Sequence, residues 1–93
     1  MTSDIIRTRL ARQIEQVAAD VVAGKLPATW GGNQLVALIR HWGYRGHDWD
    51  APDAFAQFDL VMMDLECFPD GSRTSDADIV EAAGAVHDVA RTL

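Results

Sequence analysis

One stretch constrains this chain more than any other: Asp53-Ala-Phe-Ala-Gln-Phe-Asp-Leu-Val-Met-Met-Asp-Leu-Glu-Cys-Phe68. It contains every Phe of the protein and two of its Met residues. Phe58, Val61, Met62, Leu65 and Phe68 recur at steps of three and four, the spacing of one face of an α-helix. Phe55, Leu60 and Met63 widen that stripe. A helix apolar over so much of its girth is expected to be central, with neighbours on several sides. Asp59, Asp64 and Glu66 occupy the remaining edge. Cys67 sits inside the run and is expected to be a small buried hydrophobe.

The flanks read as three further helices. Thr2, Ser3 or Asp4 can cap the first, whose stripe is Ile6, Leu10, Ile14, Val17, Val21 and Val22. Gly24 is its stop signal, with Lys25 and Pro27 beyond. Leu26 to Asn33 reads as a connection, with Trp30 folded back on its neighbours and two glycines allowing close approach or positive φ. Leu35, Leu38, Ile39 and Trp42 then mark a short second helix. Asp50 is expected to cap the third helix, with Pro52 in its first turn. Pro69-Asp70-Gly71 makes a turn. Thr74 or Ser75 starts the last helix, and Ser75 with Asp78 is a capping-box variant. Its stripe is Ile79, Val80, Ala83, Val86, Ala90 and Leu93, beside the small residues Ala82 to Ala85. No run alternates apolar and polar among β-branched residues. The expectation is a single all-α domain, residues 1–93, of four helices at about 4–23, 33–42, 51–68 and 75–92.

The segment Gly24-Lys-Leu-Pro-Ala-Thr-Trp-Gly-Gly-Asn-Gln-Leu-Val-Ala-Leu-Ile39 resembles a stretch of small proteins from phages and mobile elements. There a Leu-Pro, a Trp-Asp-Gly turn and a Glu-Leu-Arg helix start recur. Leu26, Pro27, Trp30, Gly32, Leu35 and Ile39 match. Gly31 stands where an acid is usual, and Val36 where Arg is. The resemblance covers under a fifth of the chain and implies an origin, with no functional residue carried over.

Charge is uneven. The net charge is −6. Residues 1–45 hold six basic and three acidic side chains, and residues 46–93 hold two basic and eleven acidic ones. Such a second half repels a nucleic-acid backbone and attracts a basic protein surface. Arg7, Arg9 and Arg12 on the first helix, with Arg40 and Arg45, permit a helix-turn-helix reading, but the acidic balance opposes direct nucleic-acid binding. Those arginines read better as a solvated face or as ion-pair partners for the acids.

His41, His47, Asp48, Asp50 and His87 are the available metal ligands, and their spacing matches no zinc pattern. His47 with Asp48 or Asp50 could form a base and its orienter, yet no nucleophile accompanies them. The expectation is therefore no enzyme, no metal and no cofactor. No apolar run reaches membrane-spanning length, and a cytoplasmic protein is expected.

The first hypothesis is a non-enzymatic inhibitor or regulator that binds a basic surface of a nucleic-acid-binding protein. Its expected contacts are Asp53, Asp59, Asp64, Glu66, Asp70, Asp76 and Asp78, on an acidic face that Glu81 continues, with Tyr44 and Trp49 as aromatic anchors and Met63 as a flexible one. Its concrete form is a phage anti-defence protein of the anti-CRISPR type; a toxin-immunity protein is the alternative. A second hypothesis, of another class, is a small ligand- or metal-binding protein using the 43–50 loop. A homodimer through the third helix or the Ala82–Ala85 patch is compatible with the first.

Overall fold

The first helix ends where its backbone changes hand. Gly24 adopts φ +76°, the left-handed conformation that costs a glycine least. Around it the Lys25 N–H donates to the Asp20 carbonyl at 2.9 Å and the Gly24 N–H to the Val21 carbonyl at 3.2 Å, the two bonds of a Schellman motif. In the computed structural model, which describes residues 2–45, 49–68 and 74–93, four α-helices account for most of the chain, and no strand occurs among these residues. They are α1 (Thr2–Val22), α2 (Ala28–Arg40), α3 (Asp53–Cys67) and α4 (Asp76–Ala90), with a π-helical turn (His41–Arg45) continuing α2.

Each helix contributes one buried stripe. Leu10, Ala11, Ile14, Ala18 and Val21 come from α1, and Leu35, Val36 and Ile39 from α2. Phe55, Phe58 and Met62 come from α3, and Ile79, Ala83, Val86 and Ala90 from α4. The Ser75 hydroxyl accepts from the Asp78 N–H while the Asp78 carboxylate accepts from the Ser75 N–H, so α4 begins in the expected capping box. Asp50 does not cap α3. Pro52 precedes its first residue, and no side chain caps it.

Two expectations about the middle of the chain are corrected. The most apolar helix is not the centre of the bundle. α1 and α4 form the most extensive pair, and α3 packs on α4 and α2. Its surplus apolar side chains face solvent, with Leu60 57%, Met63 41% and Phe68 61% exposed, and Cys67 is exposed as well. The second correction is that α2 begins at Ala28, so Trp30-Gly31-Gly32 is helix rather than loop. Trp30 points outward, 53% exposed, instead of folding back.

Both glycines are there for close packing. A Cβ on Gly31 would lie 2.6 Å from Val21 Cγ2 and 3.0 Å from Leu26 Cβ. One on Gly32 would lie 2.9 Å from Met62 Sδ and 3.1 Å from Ile79 Cγ2. The pair is where α2 crosses α1 on one side and α3 with α4 on the other. Alanine gains about 1 kcal/mol of helix propensity over glycine, against about 1–3 kcal/mol for overpacking a filled site. Leu26 Cβ is tied to its backbone and Val21 is stiff, whereas the Met62 thioether can swing away. Gly31→Ala is therefore expected to lower stability by roughly 1 kcal/mol, and Gly32→Ala by less. Urea unfolding of the two variants checks that order.

Candidate functional site

Neither α3 nor α4 contains a Lys or an Arg, and between them they hold eight acids. What each acid does depends on the face that carries it. On α4, Asp78, Glu81, Ala82 and Ala85 follow one another at three, four and seven residues and so line one stripe. On α3, Val61 and Asp64 form the facing wall. Between them runs an open groove of about 550 Å³. Val61, Ala82 and Ala85 make its apolar floor, and Asp64, Asp78 and Glu81 its rim, with no basic side chain among the described residues that line it. At one end Thr74 donates its hydroxyl to Asp64 at 2.8 Å. Exposed Leu60 lies one helical turn from Asp64 on the same side of α3, whereas exposed Met63, four residues after Asp59 and three before Glu66, is on the other flank. Asp53 shares the outer stripe of Leu60 and Asp64, and Asp76 lies exposed at the first turn of α4. Both add negative charge at helix starts.

Asp59 and Glu66 are on the other flank of α3 and are engaged by Arg40. The Arg40 guanidinium reaches Asp59 Oδ1 at 2.8 Å and Glu66 Oε1 at 3.0 Å, and its Nε donates to Asp59 at 2.9 Å. Burial disfavours the charge of Arg40, but its bonds to Glu66 and Asp59 outweigh this and raise its pKa above the usual arginine value. An upward shift on a base stabilises the fold at every pH below that ordinary value. Nothing of this contribution is lost in the neutral or mildly alkaline range.

Trp42, Trp49 and Phe55 serve the core. Trp42 is fully buried and donates its indole N–H to the Asp50 carbonyl at 3.0 Å. Trp49 meets it edge to face at 5.0 Å and Phe55 at 5.7 Å, while the Arg7 guanidinium lies 5.3 Å from its ring centre. Trp49 is thus a wall of this aromatic seat and does not flank the groove. Arg12 is also used internally, donating to the carbonyls of Ala90 and Leu93 at 2.9 and 3.0 Å.

Of the expected contact residues, the structure brings Asp64 and Asp78 together, leaves Asp53 and Asp76 exposed nearby, and sets Asp59 and Glu66 apart with Arg40. Asp70 and the side chain of Tyr44 lie outside the described part, as do His47 and Asp48. Among the described residues no group of three or more His, Cys, Asp or Glu side chains is placed to hold a metal ion. No helix among them is long and apolar enough to cross a membrane. Reading the sequence names Glu81 among the acids and Ala82 to Ala85 as a small-residue patch but does not join them into one wall, although the three-four-seven spacing from Asp78 marks it; Leu60 is not read there as a contact. The chain matches no protein-family model, no curated protein and no solved structure.

Proposed function

We propose that this chain is a non-catalytic binding module whose α3/α4 groove takes a basic, amphipathic segment of a partner protein. One observation carries the reading: an apolar floor flanked by Asp64, Asp78 and Glu81, with exposed Leu60 one helical turn from Asp64 and no Lys or Arg among the described residues that line it. Acids around an apolar strip steer a basic partner in, and the strip then holds it. The alanines let a helix backbone come close. A basic surface of a nucleic-acid-binding enzyme is the partner this chemistry suits, and covering such a surface would inhibit the enzyme. A phage anti-defence protein is the concrete form of that reading.

Reversing Asp59 or Glu66 is a poor test, because either change also breaks the Arg40 clamp. Glu81→Lys combined with Ala85→Lys changes only exposed positions on the groove. The probe is a fluorescent helical peptide with Arg and Leu on one face, followed by anisotropy at low and moderate salt. The wild-type protein is expected to bind it, more weakly as salt rises. The double variant is expected to bind at least about tenfold more weakly, with unchanged helical circular dichroism. Equal affinity of the two proteins would sink the proposal.

A further inference from the structure

The same chain carries a face complementary to its own groove. Ile5 and Ile6 in the first turns of α1 are 57% and 41% exposed. Arg9 is four residues from the first and three from the second, so all three share one side of the helix. A shallow cleft of about 240 Å³ continues that side, lined by Ile6, Arg9, Gln13 and His41 among others, with no acid among the described residues that line it. Apolar and cationic, it mirrors the apolar and anionic groove. Within one copy α1 already packs on α4 through a different stripe, Leu10, Ile14 and Ala18. The two faces can therefore meet only between copies.

We infer that the Ile5–Ile6–Arg9 face of one copy docks in the α3/α4 groove of a second. Ile5 and Ile6 then cover Leu60 and Val61, while Arg9 approaches Asp64 and Glu81. Such a contact joins unlike surfaces. It closes when each copy's α1 reaches the other's groove, and otherwise propagates. The inference rests on the groove being a docking surface for basic apolar segments, as proposed above. It adds regulation of that site, because self-docking and partner binding exclude each other.

Sedimentation velocity of the full chain at high protein concentration tests it. At low salt the expected mass exceeds the 10.2 kDa of one chain, falling back to that value as salt is raised. Arg9→Glu and Glu81→Lys should each weaken self-association at least about tenfold, and an equimolar mixture of the two should recover a heteropair. A single-chain mass at low salt overturns the inference, as does self-association that ignores both variants. Arg9→Glu leaves the groove intact, so it should bind the basic peptide at least as well as wild type. Peptide binding without self-association overturns the self-docking alone and leaves the binding-module reading standing.

Discussion

Trp42→Ala is expected to cost about 3–5 kcal/mol of folding stability, the range for emptying a large aromatic from a packed core. A chain of 93 residues has roughly 5–14 kcal/mol in total, so the variant should melt about 12 °C or more below wild type. The reason is the number of parts that meet on one indole. Trp42 is completely buried and joins the π-helical turn to Trp49, to Phe55 at the start of α3, to the Asp50 carbonyl, and to Arg7 on α1. Trp42→Phe keeps an aromatic edge-to-face partner and loses only the indole donor and some volume. Asp50 is exposed, so water can satisfy the carbonyl left behind, and a cost of about 1–2 kcal/mol is expected. Thermal unfolding followed by circular dichroism separates the two variants. Should Trp42→Ala melt with wild type, the aromatic seat is not what fixes the entry to α3.

The seat also explains why the polar-aromatic loop looked functional in sequence. Gly43 to Asp50 concentrates aromatics, glycines, a histidine and acids, a composition shared by binding loops and by loops that close over a core. Only the position of Trp42 between Trp49 and Phe55 separates the two. Helix ends with their own local chemistry were legible: the Gly24 stop and the Ser75–Asp78 box are decided within a few residues of sequence. The start of α2 was not, because Trp-Gly-Gly reads as a turn until Val21 and Met62 are seen pressing on the glycines. The place of α3 was misread for a related reason. Hydrophobicity reports how much of a helix avoids water and not which neighbour covers it, and here Leu60, Met63 and Phe68 are covered by none. The acids show the same limit. Their sum pointed to a basic partner, but no count distinguishes Asp59, held by Arg40, from Glu81 on the rim of a groove.

Arg40→Met makes that division measurable. The Arg40 side chain is 11% exposed and that of Asp59 17%, while that of Glu66 is 44% exposed. Breaking a fully buried ion pair costs about 3–5 kcal/mol. Glu66 can turn to water, and solvent screens its share, so about 2–3 kcal/mol is expected here. Arg40→Met combined with Asp59→Leu should recover most of the loss, since replacing both members of such a pair by apolar groups is often neutral. A double variant less stable than the single one would mean that Asp59 is held chiefly by something other than Arg40. The functional readout is independent of this. The clamp is on the flank of α3 away from the groove, so Arg40→Met should bind the basic peptide within about threefold of wild type, and slightly tighter if anything, because one positive charge is gone. Should peptide binding collapse while the helices persist, the partner would be using the α2/α3 flank, and Asp59 and Glu66 would return as contact residues in place of Asp64 and Glu81.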